Sequence, residues 1–496
     1  MNTIPAVLRA AAAEVPDREA VVTPEARLTY AQLLDRVQTF SRAALASGIG
    51  AGDRVALWVP NTLDWVVAML GLTGIGAIIV PINTRFKGEE ARYLLDKTQA
   101  TTLLVDDAFV GGLLGEDPLV ALGDPDVVVL RTSDLSGFLA RASEVDVDVV
   151  EKAAAAVAED DPSDLIFTSG TTGRPKGAIT THSQSIRVFR SWCETTGFRD
   201  GERMLIVAPF FHTFGYKAGL LACLMRRATA VPLKVFDADE AVRVVRDERI
   251  DVIPGPPTLY SSLLESGEKL PPIRLAVTGA AVVPTELIRR MRAELGFEEV
   301  ITAYGLTECT GMATACRQGD PDEVISLTSG RAIDDVEVRV LAETGQPGEV
   351  LVRGYNVMRG YWDDPEATAE AIDSDGWLHT GDVGILDEAG NLRITDRIKD
   401  MYVVGGFNAY PAEIEQVLVR HEGISEAAVI GVPDERMGEV GKAFVVPRTG
   451  AALTADDVIA YSREKLANYK VPRFVEIVDA LPKNATGKVT KNVLRG

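Results

Sequence analysis

A chain of 496 residues, 46% of them apolar, can bury several cores, and at roughly 150 residues per domain it suggests about three folding units. Its 51 basic and 72 acidic residues, a net of −21, exclude a nucleic-acid surface as the natural reading and require any anionic substrate to be met by local cations. Four cysteines, Cys193, Cys223, Cys309 and Cys316, show no CxxC pairing and fit a reducing compartment, with Cys309 read as small buried filler.

The start, Met1-Asn-Thr-Ile-Pro, lacks a basic stretch leading into an apolar run, so no export signal is expected. A capped helix should run from Thr29 to about Ser47. Then come a strand over Arg54–Val59, a helix over Asn61–Leu72, a strand over Ala77–Pro81, a helix over Gly88–Lys97 and a strand over Thr102–Val105. The longest apolar run, Val66 to Ile82, is broken by Gly71, Gly74, Gly76 and Pro81, and reads as a buried helix and strand, not a membrane span. A soluble, cytoplasmic protein is expected. Alternating strands and helices imply right-handed βαβ crossovers and a largely parallel sheet. Asp124–Asp161 ends in an acidic, alanine-rich surface helix from Glu151. Strands resume at Met204–Val207, Ala228–Val231, Val252–Ile253, Ile273–Thr278 and Val300–Ala303, so two similar α/β layers are expected. After about Gly330, short strands over Val336–Val340 and Gly348–Val352 suggest a small β-rich subdomain, and the last ~100 residues read as a separate α+β lobe.

Between the layers lies Thr168-Ser-Gly-Thr-Thr-Gly-Arg-Pro-Lys-Gly177, preceded by a short strand, Asp164–Thr168. Glycines turn backbone N–H groups inward, the hydroxyls of Thr168, Ser169, Thr171 and Thr172 add donors, and Lys176 adds charge, as a triphosphate needs. Taken alone, such a loop reads equally as a flexible surface turn. It is not a Walker loop: Pro175 stands where glycine is needed before the lysine, and Gly177 where Ser or Thr should bind magnesium.

Further segments follow in order: Phe211-His212, Tyr304-Gly-Leu-Thr-Glu308, Trp377-Leu-His-Thr-Gly-Asp382, Arg397-Ile-Lys-Asp400, Gly405-Gly-Phe-Asn-Ala-Tyr-Pro-Ala-Glu-Ile-Glu415 and Pro482-Lys-Asn-Ala-Thr-Gly-Lys488. With the loop, they resemble the adenylate-forming superfamily of acyl-CoA ligases, luciferases and peptide-synthetase adenylation domains, essentially end to end. The resemblance implies a large N-terminal α/β domain, 1–397, with two doubly wound layers and a small β-rich subdomain, and a small mobile α+β C-terminal domain, 398–496. It implies an ATP-dependent, AMP-forming acyl-CoA ligase taking a carboxylic acid, ATP, Mg²⁺ and coenzyme A, without nucleic-acid or integral-membrane partners and open to homodimer formation.

The resemblance places Thr168, Ser169, Gly170, Thr171, Thr172 and Lys176 on the phosphates. Tyr304 falls on one face of adenine, with Gly279, Ala280 and Ala281 on the other and beside the acyl pocket. The family more often has Gly-Gly-Ala-Pro where this chain has Gly-Ala-Ala-Val, which changes the pocket wall. Asp382 falls on the ribose hydroxyls with Arg397 as cationic partner, although Asp in a Gly-Asp turn is usually a turn residue. Arg397 follows Asp396 where the family commonly has glycine. Thr307 and Glu308 are read as phosphate and magnesium contacts, since Mg²⁺ uses one or two protein carboxylates. No zinc pattern competes, because Ser425 stands where a motif begun at His421-Glu422 would need its second histidine. His212 resembles the residue beside the substrate carboxylate and is read as gate and orienter, while His182, His379 and His421 are left structural. Lys488 resembles the lysine that the lid brings to the α-phosphate, Lys399 the hinge, and Gly405, Gly406 and Phe407 the loop that replaces Lys488 when CoA enters.

Within the family, His212–Gly219, Pro254–Thr258, Val277–Ala281 and Lys399–Tyr402 resemble actinobacterial steroid-degradation ligases. That resemblance implies a steroid-derived bicyclic indanedione propanoate as the acid. The alternatives are a medium-chain fatty or aromatic acid, an acyl-AMP ligase loading a carrier protein, or a noncatalytic nucleotide-binding protein. Tyr216 and Lys217 are polar on an expected tunnel wall, so either could read a substrate oxygen. Equally, Lys217 could face solvent or pair with a nearby acid.

Overall fold

The computed structural model describes residues 2–123, 125–169, 174–279, 283, 285–346, 348–397, 401–409, 411–448, 450–482, 489 and 491–495. Gly170, Thr171, Thr172, Ala280, Ala281, Lys399 and Lys488, and the side chains of Ser169 and Arg397, therefore lie outside what is described.

Among the described residues the strands form four sheets. A six-stranded sheet runs Val128–Arg131, Thr102–Val105, Arg54–Trp58, Ile78–Pro81, Pro162–Ser169, Pro175–Thr181. All of its pairings are parallel except the last, which is antiparallel. A nine-stranded sheet has a parallel centre, Phe297–Tyr304, Ile273–Gly279, Val252–Pro254, Arg203–Ile206 and Thr229–Pro232. It is extended by Glu19–Val22 and Arg27–Thr29 at one edge and by Thr314–Ala315 and Arg331–Ala332 at the other. These are the two expected α/β layers.

The four-stranded antiparallel sheet from Val336–Val340 to Leu392–Arg397 is the β-rich part expected after Gly330. A five-stranded sheet drawn from Tyr402–Val404 onward, with helices Pro411–Leu418 and Ala455–Lys465, makes the α+β lobe. No helix among the described residues is long and apolar enough to cross a membrane.

Strand alternation shows how the first sheet is covered. In Arg54–Trp58, Val55 and Leu57 join one core with Met204, Leu205 and Val300 of the nine-stranded sheet. Ala56 and Trp58 join a second core with Tyr402, Val404 and Ile414 of the lobe. A period of two therefore splits one strand between two cores. The helix Leu63–Thr73 has Trp65–Thr73 all buried and is apolar around its whole circumference, as an element covered on every side must be. The helix Tyr30–Ala46 carries the expected Thr29 cap, completed by Gln32 as a capping box.

The lobe is fastened by charge. Lys470 Nζ donates to Glu413 Oε1 at 2.6 Å within the lobe and to Glu90 Oε1 at 2.8 Å on the large domain, and its side chain is 1% exposed. Burial pulls the Lys470 ammonium down, but Glu413 and Glu90 outweigh it and hold its pKa well above the ordinary lysine value. Burial pushes the Glu413 carboxyl up. Lys470→Met would leave two carboxylates without their cation, and should cost about 3–5 kcal/mol as for half of a buried pair. The folded form could recover part of that cost only by protonating a carboxylate whose pKa is raised. The penalty read from denaturant midpoints should therefore grow as pH rises from about 5 to 8. A penalty independent of pH would show that the carboxylates are not its source.

Candidate active site

The glycine-rich stretch joins two antiparallel strands, Pro162–Ser169 and Pro175–Thr181, with Thr168 opposite Lys176. The strand before the loop is as expected. The strand after it was hidden in a polar run broken by Pro175 and Gly177. Thr168 Oγ1 donates to Glu308 Oε1 at 2.9 Å, and the Tyr361 hydroxyl donates to the same oxygen at 2.9 Å. Lys176 Nζ stands 5.2 Å from the centre of the Tyr361 ring, within cation–π range.

Beside this group, Tyr304 at the end of its strand donates to Asp382 Oδ2 at 2.7 Å. Asp382 lies directly across from Arg397 in the antiparallel pair Leu378–Leu386 and Leu392–Arg397. The residues read as adenine platform and ribose carboxylate are thus one hydrogen-bonded unit. Gly279 ends the neighbouring strand, where a Cβ would come within 2.4 Å of the Ala303 carbonyl oxygen. The close approach holds that position to glycine. Trp377 instead packs on the four-stranded sheet, with the Arg339 and Arg353 guanidinium carbons 4.3 and 4.4 Å from its ring centre.

Thr168, Lys176, Gly279, Tyr304, Glu308, Tyr361 and Asp382 line one cavity of about 2180 Å³, together with Thr307, His212, Gly405, Gly406 and Phe407, whereas Trp377 is not on its wall. The accessible surface of His212 faces this cavity, and its Nδ1 accepts the Phe214 N–H at 3.2 Å. Enclosure by protein pushes its pKa down to about 4, so the imidazole is neutral at neutral pH. Gly405 and Gly406 have φ of 57° and 86° and form the two-residue turn between Tyr402–Val404 and Phe407–Ala409. Positive φ at both turn positions is what a tight hairpin of type I′ requires. The tip faces the large domain, since a Cβ on Gly406 would sit 3.3 Å from Pro256. Phe407 stacks on Tyr469 at 4.9 Å, lies 6.5 Å from Phe211, and has the Arg85 guanidinium 4.3 Å above it.

The expectation for Tyr216 and Lys217 is corrected. The segment after His212 is a π-helix, Phe214–Leu221, whose Phe214 and Ala218 reach the cavity wall, whereas Tyr216 and Lys217 do not. Lys217 is wholly buried, 2.9 Å from Asp164 Oδ1, and donates to Thr180 Oγ1 at 2.9 Å. Asp164 also accepts from Ser163 Oγ at 2.6 Å and from Thr180 Oγ1. Burial pulls the Lys217 ammonium below the ordinary lysine value despite Asp164. Tyr216 packs edge-on against Trp65 at 5.4 Å. The wider π turn carries both side chains toward the interior, where an acid of the chain, not a substrate oxygen, answers the lysine. Asp164 and Tyr361 were missed by sequence reasoning, because neither sits at a recognisable spacing from its partner.

Residues 8–362 match the AMP-binding enzyme family, and residues 413–488 match the AMP-binding enzyme C-terminal domain. The chain belongs to the AMP-binding enzymes. Among relatives of this AMP-binding enzyme is the 3-[(3aS,4S,7aS)-7a-methyl-1,5-dioxo-octahydro-1H-inden-4-yl]propanoyl:CoA ligase of Rhodococcus jostii, 49% identical over 515 residues, spanning 100% of this chain and 98% of that protein. A double mutant of o-succinylbenzoate CoA synthetase from Bacillus subtilis, bound with a product analogue, superposes with a TM-score of 0.84 at 28% identity, covering 98% of this chain and 97% of its own. The same synthetase with its acyl-adenylate intermediate superposes with a TM-score of 0.68 at 28% identity, covering 99% and 98%.

Because Lys217 answers Asp164 and not the cavity, Lys217→Met should lower stability by about 3–5 kcal/mol, the cost of an unpaired buried carboxylate. Activity, measured well below the lowered melting point, should fall by a similar factor for every acid. Loss confined to an oxygenated acid would restore the substrate-reading role.

Proposed function

We propose that the chain is an ATP-dependent, AMP-forming acyl-CoA ligase. The observation that carries this reading is the single cavity that runs from Lys176 and Glu308, past Tyr304 and Asp382, to His212 and the Gly405–Gly406 turn. In the first half-reaction the acid's carboxylate oxygen attacks the α-phosphorus of ATP and pyrophosphate leaves. In the second the sulfur of CoA attacks the acyl carbon and AMP leaves, the thiol proton passing to solvent. Lys176 and the loop hold the phosphates, Tyr304 and Asp382 hold the nucleoside, and neutral His212 orients the carboxylate, which is already ionised and needs no base.

Mg²⁺ fits the donor set. One carboxylate, Glu308, is fixed through Oε1 by two hydroxyls, and phosphate oxygens complete a hard-cation shell. Bound there, the ion supplies charge neutralisation for the phosphates. Thr307 contacts the phosphates, and Arg397 supports the ribose carboxylate.

Residues 398–496 move as a lid about Lys399 against 1–397. The better superposition on the product-analogue form supports reading the present arrangement as the thioester-forming one, with Gly406 beside Pro256 where pantetheine would pass. Lys488 serves the other arrangement. Lys488→Ala should then lower pyrophosphate exchange about 10² to 10³-fold while sparing thioester formation from supplied acyl-adenylate, and Gly406→Leu should do the reverse. Parallel losses in both half-reactions would refute the alternation. Supply of ATP and CoA places the enzyme in the cytoplasm.

The acid is the steroid-derived indanedione propanoate, a reading supported by the full-length relative from Rhodococcus. Thr213 and Thr278, both on the cavity wall, have buried hydroxyls with no partner among the described residues, and turned to the cavity they would donate to the two ketone oxygens of the dioxo acid. AMP release with this acid, a medium-chain acid and an aromatic acid, with and without CoA, tests the function. AMP without thioester would favour carrier-protein loading, and no turnover with any acid would favour a noncatalytic protein. Thr213→Val or Thr278→Val should lower kcat/KM by about 1–3 kcal/mol for the dioxo acid alone. Equal effects on a straight-chain acid would remove the threonines from recognition.

A further inference from the structure

The segment 358–362 is pinned on two sides. The Met358 N–H donates to the Glu308 carbonyl at 2.8 Å, which ties the segment to the turn carrying the carboxylate. The Arg359 N–H donates to Ile179 O at 3.0 Å, the Ile179 N–H to Gly360 O at 3.0 Å and the Trp362 N–H to Gly177 O at 2.7 Å. These bonds tie it to the strand carrying Lys176. The Tyr361 N–H is itself held by Thr368 Oγ1 at 2.9 Å. Its backbone thus has no freedom to follow a ligand, and its side chain bridges the two charged groups: the hydroxyl reaches Glu308 Oε1 and the ring lies under the Lys176 ammonium.

We propose that Tyr361 is a positioning residue for the metal–triphosphate site. By adding a second hydroxyl to the oxygen already held by Thr168, it fixes the carboxylate plane so that Oε2 is the oxygen turned to a divalent cation. By offering its ring face to Lys176, it keeps that flexible side chain extended toward the phosphates instead of collapsed onto Glu308. One side chain thus keeps apart the cation and the anion that would otherwise neutralise each other before ATP arrives. This inference rests on the reading of Glu308 as the magnesium carboxylate.

The test is calorimetric binding of a non-hydrolysable ATP analogue with and without Mg²⁺, and of AMP, which needs neither the metal nor the γ-phosphate contacts. Tyr361→Phe keeps the ring and removes the hydroxyl. It should weaken binding of the magnesium–nucleotide about tenfold, the worth of one hydrogen bond to a charged group. AMP affinity and metal-free binding of the analogue should stay at the wild-type value. Tyr361→Leu removes the ring as well and should also weaken metal-free binding of the analogue, because Lys176 loses its platform. Wild-type affinity of Tyr361→Phe for the magnesium–nucleotide would overturn the proposal. So would a parallel loss of AMP binding, which would make Tyr361 a residue of the fold. If wild-type binding of the analogue were itself indifferent to Mg²⁺, the reading of Glu308 would fall instead.

Discussion

The ends of the glycine-rich stretch lie within the two strands it joins, Thr168 and Ser169 in one and Pro175, Lys176 and Gly177 in the other, so the strand pair sets where those residues stand. Those two strands, Pro162–Ser169 and Pro175–Thr181, are the antiparallel edge of an otherwise parallel sheet, and each is tied to a different part of the site. Near its start the first strand pairs Asp164 with Lys217 of the π-helix that follows His212, and at its end it places Thr168 on Glu308. The second presents Lys176 to Tyr361 and accepts segment 359–362 as a further pairing. The pairs Asp164–Lys217, Thr168–Glu308 and Lys176–Tyr361 are thus registered to one another through a single strand pair. A buried ion pair is weak evidence for net stability, but at a junction between elements it specifies one register, because any slip leaves a charge in apolar surroundings.

The C-terminal lobe meets the large domain through apolar and polar groups together. The Gly405–Gly406 turn reaches the cavity on a short hairpin, and Phe407 rests on Tyr469. Beside the apolar core shared with the six-stranded sheet, the contact to the large domain includes Lys470 on Glu90 and the Asn83 amide, which donates to the Tyr469 hydroxyl at 3.2 Å. Polar contacts of this kind are directional and lost cooperatively on a small rotation, whereas both partners regain water when they part. Glu413 pairs with Lys470 inside the lobe, so the ammonium has a counter-charge there as well as on the large domain.

Much of this was legible. Alternation of apolar runs placed the helices and strands from Thr29 to Val105 within a residue or two, because parallel strands buried on both faces are short and continuous in apolar character. Thr29 with Gln32 is a local signal and was read correctly as the start of a helix. What escaped was non-local. The pairing of Glu19–Val22 with Thr229–Pro232 joins residues some two hundred positions apart, and no local pattern announces it. The π turn after His212 depends on one extra residue per turn, which an eight-residue segment, Phe214–Leu221, cannot reveal by periodicity. Of the readings open for Lys217, pairing with a nearby acid is the one the structure bears out, and the substrate-facing one is not. Its partner, Asp164, had been taken only as the first residue of a strand.

Net charge completes the account. At −21 the protein as a whole repels the anions it must gather, so capture depends on cations whose local environment outweighs the distant field. Many surface arginines cannot serve, because they are spent on neighbouring acids, as Arg27 is on Glu19 and Glu248, and Arg353 on Glu337. Two cavity cations are kept differently, Lys176 over Tyr361 and Arg85 over Phe407, each resting on an aromatic face, whereas Lys234 on the same wall pairs with Asp106. A π face attracts a cation without cancelling its charge, so it can store an ammonium or guanidinium in a ready position where a carboxylate would consume it. Arg85 also lies where the large domain meets the Gly405–Gly406 hairpin, so the guanidinium that rests on Phe407 stands on the wall of the same cavity. In an acidic protein, aromatic rings in place of acids beside the working cations are what leave those cations free for substrate.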